Sequence, residues 1–151
     1  MPNIDTNDIE YYMNLALKEA KKSGEDLPVG CVIIDENKNI IAKAHNEKEK
    51  LKNPTAHAEI MAIKKACKKI KNWRLLNCSL FVTLEPCPMC AWAILNARIK
   101  NVYFGSYDNL YGAFNGKIDL RTLLKNDTKV FGDIKEKECD QILKEYFEKI
   151  R

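Results

Sequence analysis

The chain has 151 residues, of which 46% are hydrophobic and 30% charged, and its 25 basic and 21 acidic residues give a net charge of +4. This composition is typical of a globular protein and excludes long disordered tracts, while the charge permits contact with a polyanion without requiring it. The N-terminus "MPNIDTNDIE" lacks a secretory pattern, and no apolar run approaches membrane-spanning length. We therefore expect one domain, residues 1–151, in the cytoplasm and without a membrane partner.

The first half of the chain predicts a helix, a hairpin and a second helix. Residues 7–22 carry apolar side chains at helical spacing, with Asn7 and Glu10 placed like a capping box. The β-rich stretches "VGCVIID" and "NIIAKA" on either side of "ENK" predict a β-hairpin. The mixed-charge stretch "HNEKEKLKN" then predicts a loop, and a helix is expected over 55–70.

The second half predicts a strand, a helix and a strand in that order, which favours a parallel pair of strands. The two strands are expected over 78–84 and 101–105, with the helix over 88–97 between them. A turn-rich stretch follows, and then a strand at 128–131 and an amphipathic helix over 135–151.

The helix predicted over 55–70 carries a row of basic side chains that extends just past its end. These are Lys64, Lys65, Lys68, Lys69 and Lys71. A solvated lysine face and a nucleic-acid contact both fit this pattern, because a basic helix face alone does not identify a partner.

Two short motifs, "TAHAEI" and "TLEPCPMC", contain the residues that suggest chemistry. An imidazole from His57 and thiolates from Cys87 and Cys90 are ligands that zinc prefers, and three protein ligands leave a fourth position open for water. Pro88 predicts a helix start, so both sulfurs can face one side of its first turn. The sequence therefore predicts a zinc site between two helix N-termini.

Glu59 suggests that the predicted metal site is catalytic. It follows His57 by two residues, so it could lie beside the bound water and carry its proton to a substrate nitrogen. A closed structural zinc site is the alternative, and it would need a fourth protein ligand. The candidates for that ligand are His45, Cys31, Cys67, Cys78 and Cys139. A redox pair of Cys87 and Cys90 is a further alternative, but it leaves His57 and Glu59 without a role.

The pair "HAE" and "PCPMC" matches the H-x-E…P-C-x-x-C signature of zinc nucleobase deaminases. Together with "LPVGCVI", "AHN", "NPTAHAEIMAI", "NWRLLNCSLFVTLEPCPMCA", "ARIKNVYFGSYD" and "CDQILKEYFEKIR", it makes nearly the whole chain resemble the bacterial tRNA-specific adenosine deaminases. The resemblance implies an α/β fold, a cytidine-deaminase-like three-layer α/β/α arrangement with a mixed five-stranded sheet. It also implies one Zn²⁺ per chain, a homodimer, and conversion of the wobble adenosine of a tRNA anticodon stem-loop to inosine.

The resemblance assigns roles to individual residues of this chain. His57, Cys87 and Cys90 match the zinc ligands, and Glu59 matches the proton shuttle. Asn46, in "AHN", matches a residue that contacts the purine, and the main chain around Ala58 and Leu84 matches the pocket wall. An Asn in a loop also commonly caps its own backbone, and this is the alternative for Asn46.

Several positions depart from the family pattern. Trp92, in "CAWA", stands where small residues are usual, so either it fills a gap in the core or the dimer contact or the surroundings of the metal are rearranged. The turn at 112–117 reads "GAFNGK", the region 121–135 is short and lacks the usual Asn-His pair, and Leu110 replaces a basic residue. Asp108 still follows "FGSY". These regions lie near the substrate mouth in the family.

Three functions are consistent with these observations. The first is a tRNA adenosine deaminase, and the second is a deaminase of free purine bases or nucleosides such as guanine, adenine or adenosine. The shortened mouth and the mild positive charge favour the second. The third is a zinc-stabilised binding subunit without activity, against which the intact Glu59 argues.

Overall fold

The computed structural model of the chain describes residues 4–115, 118–123 and 127–150. Its helices are α1 (Thr6–Ala20), α2 (Lys48–Leu51), α3 (Ala58–Ile70), α4 (Pro88–Asn96) and α5 (Glu136–Lys149). Its strands are β1 (Gly30–Ile34), β2 (Ile40–His45), β3 (Ser79–Leu84), β4 (Asn101–Ser106) and β5 (Lys129–Phe131). Short 3₁₀ turns cover Lys21–Ser23 and Leu120–Leu123. All the predicted helices and strands are therefore present, with small differences at their ends.

The strands of the described residues form one mixed sheet in the order β2-β1-β3-β4-β5. Strand β1 pairs antiparallel with both β2 and β3, whereas β3, β4 and β5 are parallel to one another. The predicted hairpin is β1–β2, and the predicted parallel pair is β3–β4 with α4 as its crossover. The mixed five-stranded sheet is thus confirmed.

Helices cover both faces of the sheet because alternate residues of each strand point to opposite sides. On one face, Val32, Phe81 and Tyr103 pack with α1 and with Cys139 of α5. On the other face, Ile33 and Val82 pack with α3 and α4. This confirms the three-layer α/β/α arrangement.

Helix α1 lies unusually close to the sheet. A Cβ at Gly30 would lie only 1.8 Å from the carbonyl oxygen of Ala16, so only glycine fits where α1 crosses the start of β1. The helix begins with a reciprocal capping box between Asp5 and Asp8. The prediction of a capping box between Asn7 and Glu10 was wrong, because the helix starts one residue before Asn7.

Two further boundaries differ from the sequence prediction. The stretch "HNEKEKLKN", predicted as a loop, contains the single helical turn α2, whose start is held by the Asp26 carboxylate accepting the backbone N–H of Glu49 at 3.1 Å. Helix α3 begins at Ala58 rather than at residue 55, because Asn53 accepts the backbone N–H of Thr55 at 2.9 Å and closes a turn. The described residues include no helix both long and apolar enough to cross a bilayer.

Candidate active site

Two helices begin side by side at the end of the sheet where β3 ends. His57 is the N-cap residue of α3 and Cys87 is the N-cap residue of α4, each with an extended backbone. Neither side chain caps its own helix, so the imidazole and the sulfur remain available for another partner. Cys90 lies in the first turn after Cys87, and Glu59 in the first turn after His57. The local rules for helix starts thus bring these four side chains to one place.

The three candidate zinc ligands lie at distances that suit a tetrahedral metal site. The His57 Nδ1 atom lies 3.5 Å from the Cys90 sulfur and 3.7 Å from the Cys87 sulfur. Bond lengths of about 2.3 Å to sulfur and about 2.0–2.1 Å to nitrogen would separate a nitrogen and a sulfur ligand by about 3.6 Å at a tetrahedral angle. The donor set and its spacing therefore fit zinc.

The part of the chain that the structure describes supplies no fourth protein ligand to this group. His57, Cys87 and Cys90 form a metal-sized cluster whose ligand atoms all lie within 4.8 Å of one another, and no other residue joins it. His45 lies between two carboxylates instead, with Nδ1 3.3 Å from Glu19 and Nε2 3.4 Å from Glu47. The other four cysteines are free thiols outside the group. This geometry leaves one coordination position open to solvent or substrate.

The two thiols of the site differ in acidity. A hydrogen bond with Cys90 lowers the pKa of Cys87 to about 4, whereas the same interaction and burial raise the pKa of Cys90. The pKa of His57 is raised, chiefly by its hydrogen bond with Cys87. The lowered pKa of Cys87 favours its thiolate form, which is the form that binds a metal.

Glu59 is a buried acid beside these ligands. Only 4% of it is exposed, and burial raises the pKa of its carboxyl group to about 7. A group with a pKa near neutrality can both accept and donate a proton at pH 7, as a general acid and base requires. Its position next to the metal cluster and its raised pKa both suit the proton-transfer role predicted from the sequence.

A cavity of about 470 Å³ opens over these residues. His57, Glu59, Cys87, Asn46 and Leu84 all line it. Ala58 is buried and does not belong to the lining; its backbone N–H is bonded to Asn46 instead. Cavities of roughly 300–1,000 Å³ hold small molecules, so one nucleobase or nucleoside fits in size.

Asn46 connects two segments of the cavity wall. Its side-chain oxygen accepts the N–H of Ala58 at 2.8 Å, and its side-chain nitrogen donates to the carbonyl of Leu27 at 2.9 Å. It therefore does not cap its own backbone. The His57 side chain does not cap α3, and the Asn46 oxygen accepts a backbone N–H of its first turn instead. Because Ala58 lies between His57 and Glu59, this bond fixes the backbone that carries both.

Several lining residues were not predicted from the sequence. Glu85 directly follows β3 within the motif "TLEPC", where a charged residue after a run of apolar residues was the signal that could have identified it. Tyr111 and Tyr146 come from distant parts of the chain and carry no sequence signal. Tyr146 donates its hydroxyl to the carbonyl of Glu25 at 3.1 Å, which brings α5 to the cavity. The other unpredicted lining residues are Glu25, Asp26, Leu27, Val29, Lys48, Glu49 and Pro88.

The positions that depart from the family pattern occupy different places. Trp92 is 46% exposed, so it does not fill a gap in the core, and it lines a second cavity of about 640 Å³ with Leu76 and Arg98. Asp108 lines the first cavity, whereas Leu110 is exposed outside it. Residues 116–117 of the altered turn and 124–126 of the shortened region lie outside the described residues.

Comparison with known proteins is consistent with this geometry. A family model described as the cytidine and deoxycytidylate deaminase zinc-binding region matches residues 6–106. A protein of Aquifex aeolicus named tRNA-specific adenosine deaminase is 41% identical over 148 residues, which cover 94% of this chain and 95% of that protein. These matches span all four residues of the candidate centre.

Two solved structures resemble the chain in both sequence and shape. One comes from a study of A-to-I editing by tRNA:A34 deaminases at the wobble position of transfer RNA. It superposes with a TM-score of 0.84 at 37% identity, covering 88% of this chain and 99% of that one. The other is a guanine deaminase from Bacillus subtilis, with a TM-score of 0.62 at 39% identity over 65% of this chain and 64% of that one.

Proposed function

Because the chain belongs to the tRNA-specific adenosine deaminases of the cytidine and deoxycytidylate deaminase superfamily, we propose that it converts the wobble adenosine of a tRNA anticodon loop to inosine. The observation that carries this proposal is the cluster of His57, Cys87 and Cys90 beside the buried Glu59, on the wall of a cavity sized for one nucleoside. Residues 1–151 act as a single deaminase domain in this proposal.

His57, Cys87 and Cys90 would hold one zinc ion per chain. A zinc ion with three protein ligands acts as a Lewis acid and lowers the pKa of a water in its open position to about 7. The protein's own contribution is to keep the three donors within 4.8 Å of one another and one position free of protein ligands among the described residues.

Glu59 moves the protons of the reaction. It accepts a proton from the attacking water and passes it to N1 of adenine as the new C6–O bond forms. It then takes the remaining proton from the C6 hydroxyl and delivers it to the amino nitrogen as the C6–N bond breaks. Ammonia leaves and inosine remains. Burial raises the pKa of Glu59 to about 7, so at neutral pH the carboxyl group is available in both its ionised and its protonated form.

Asn46 and Leu84 form part of the wall against which the purine would lie. Both line the cavity, and Asn46 keeps further hydrogen-bonding capacity besides its bonds to Ala58 and Leu27. The target base must leave the base stack to enter such a cavity. An anticodon loop allows this at lower cost than a duplex, in which extrusion costs a few kcal/mol.

Deamination of a free purine is the second candidate function. The 39% identity to a guanine deaminase supports it, and so does the acidic character of the cavity lining, which includes Glu25, Asp26, Glu49 and Asp108. Carboxylates there repel phosphate groups, whereas Lys48 is the one basic residue of the lining among the described residues. This candidate uses the same ligands and the same Glu59.

One experiment separates these candidates. Zinc-loaded protein is incubated with a wobble-adenosine anticodon stem-loop, adenosine, adenine, guanine and cytidine in parallel, and the products are quantified by mass spectrometry with Glu59→Ala as the control. Inosine in the stem-loop supports the tRNA proposal, and turnover of a free base alone supports the alternative. Absence of any Glu59-dependent turnover would instead indicate a binding subunit without activity.

A homodimer and a cytoplasmic location complete the proposal. The second cavity has the exposed apolar side chains of Trp92 and Leu76 on its wall, and these favour contact with a second copy of the chain. Sedimentation velocity would measure the oligomeric state. The six cysteines are free, and thiols persist in a reducing compartment such as the cytoplasm.

A further inference from the structure

Glu85 is a buried carboxylate that neither the ligand cluster nor the proton transfers use. It directly follows β3 and is 2% exposed. Its two oxygens accept backbone N–H groups from one irregular segment, residues 107–115, which we call the mouth segment. Oε1 accepts from Asp108 at 3.1 Å, while Oε2 accepts from Phe114 at 3.1 Å and from Asn115 at 2.6 Å. One side chain thus binds both ends of this segment.

The mouth segment is also shaped to leave room for this carboxylate. A Cβ at Gly112 would lie 2.4 Å from the Glu85 carboxyl carbon, a contact that no relaxed structure contains. Ala113 donates its N–H to the carbonyl of Pro86 at 2.9 Å, directly beside this point. The segment therefore wraps closely around Glu85, and glycine is required at 112 because of space.

Glu85 is connected to Tyr111 through Asp108. The Asp108 N–H is held by Glu85, and the Asp108 carboxylate in turn accepts the N–H groups of Leu110 and Tyr111, each at 3.0 Å. Tyr111 lines the cavity and yet is 66% exposed. An exposed aromatic ring at the rim of a cavity sized for one nucleoside is placed to stack on a neighbouring base, because every base has a stacking face.

We propose that Glu85 is a positioning residue that holds the mouth segment over the cavity, and that Tyr111 thereby stacks on a nucleotide flanking the target adenosine. The second part, the stacking of Tyr111 on a nucleotide, rests on the proposed function. Glu85 acts on substrate binding and not on the chemical step, since it is neither a ligand nor the proton carrier. Substitution of Glu85 should therefore raise KM and leave kcat nearly unchanged.

Two variants disturb the mouth segment by different routes. Glu85→Gln keeps the shape but replaces one accepting oxygen by an NH₂ group, so at least one backbone N–H loses its acceptor. Gly112→Ala keeps the carboxylate but forces a Cβ against it. The matched control is Asp35→Asn. Asp35 is also a carboxylate that accepts backbone N–H groups, from Asn37 and Asn39 at 2.9 Å each, but it lies in the β1–β2 turn at the other end of the sheet.

Each variant is assayed on a wobble-adenosine stem-loop and on stem-loops with an abasic site on the 5′ or the 3′ side of the target. For Glu85→Gln and Gly112→Ala, we expect KM to rise about tenfold with kcat within about threefold, the size of one lost stacking contact. For the wild type, one of the two abasic stem-loops should raise KM by a similar factor, because it lacks the base on which Tyr111 stacks. For Glu85→Gln and Gly112→Ala, the same abasic stem-loop should raise KM little further. Asp35→Asn should behave as the wild type in every assay.

Amide hydrogen exchange measured on peptides covering 107–115 gives a second readout that needs neither zinc nor RNA. Exchange should be faster in Glu85→Gln than in the wild type, and unchanged in Asp35→Asn. The proposal is overturned if exchange in Glu85→Gln equals that of the wild type, or if the variants lower kcat and leave KM constant. It is also overturned if neither abasic site changes KM for the wild type. A wild type that forms no inosine refutes the proposed function and the stacking role with it, while exchange still decides whether Glu85 holds the segment.

Discussion

The two helix starts and the mouth segment line the same cavity, yet they are held in different ways. At the helix starts, His57 and Cys87 are N-cap residues, and each carbonyl accepts the first backbone hydrogen bond of its helix, at 3.0 and 2.8 Å. The mouth segment has no regular structure and is held from outside by Glu85. The side chains of the candidate centre are therefore placed by the starts of two helices, whereas the mouth segment is placed by a side chain from a distant part of the chain.

Removal of a ligand at a helix start should have the largest effect. Cys87→Ala, or equally His57→Ala, leaves two protein ligands, so zinc content should fall from one per chain to near zero and turnover should be lost. Metal analysis by mass spectrometry beside the rate assay measures both. Cys67→Ala is the matched control, because Cys67 is a free thiol outside the cluster, and it should keep zinc and rate. Full zinc content in Cys87→Ala would show that the ligand assignment is wrong.

Loss of the proton carrier should have the next largest effect while leaving the metal in place. Glu59→Ala should bind zinc as the wild type does, and its kcat should fall about 10²- to 10⁴-fold, the contribution of one general acid and base. Circular dichroism and metal analysis confirm that fold and metal are retained. A Glu59→Ala protein with nearly full activity would mean that another group carries the proton.

Asn46 combines both kinds of support, because it bonds to the first turn of α3 and also to Leu27, a residue distant in the chain. Its substitution should therefore affect both stability and catalysis. Asn46→Ala removes the acceptor for the Ala58 N–H, and we expect the free energy of unfolding to fall by about 1–2 kcal/mol. We also expect kcat/KM to fall about tenfold or more, because a lost hydrogen bond at the start of α3 displaces His57 and Glu59. Urea denaturation and steady-state kinetics measure the two effects.

Asn46→Asp provides the comparison for that variant. It keeps an oxygen for the Ala58 N–H but loses the bond to the Leu27 carbonyl. It should therefore retain more stability than Asn46→Ala. Equal losses in both variants would show that the bond to Leu27, and not the contact with α3, is the important one.

The mouth segment should respond more weakly. Tyr111→Ala removes an exposed ring, so stability should change by less than about 0.5 kcal/mol. KM for the stem-loop should rise about five- to tenfold through lost stacking. Leu110→Ala is the matched control, since Leu110 is similarly exposed on the neighbouring position and does not line the cavity. Equal KM values for the two variants would argue against stacking.

The smallest catalytic effect is expected at Trp92, which lines neither the ligand cluster nor the first cavity. Trp92→Ala should leave kcat and KM within about twofold, but weaken self-association about tenfold if the proposed dimer uses this surface. Sedimentation velocity at several protein concentrations measures the association. Trp73→Ala, at another exposed tryptophan, should leave it unchanged. A large loss of kcat at Trp92 would connect this face to the site.

Much of the architecture could be predicted from the sequence because its signals are short-range. Alternation and apolar runs identified β1 to β4, and Pro88 after Cys87 located the start of α4. Spacing within "HAE" and within "PCPMC" was sufficient to place each pair in the first turn of one helix. The packing of α3 beside α4 then brings His57 to Cys87 and Cys90. The capping box of α1 and the turn α2 were misjudged, because several polar residues compete at such boundaries.

The family, the layers of the fold and the residue types of the centre could be read from the sequence alone, because motif spacing, periodicity and helix starts act over a few residues. The tertiary structure was needed to find the hydrogen bonds of Asn46, Glu85 and Tyr146, the place of Tyr111 at the cavity, and the burial that raises the pKa of Glu59 to about 7. Hydrogen bonds such as that of Tyr146 to Glu25 join residues far apart in the chain. The partners of such hydrogen bonds, and the desolvation of a carboxyl group, depend on which surfaces pack together. A short sequence pattern does not contain that information.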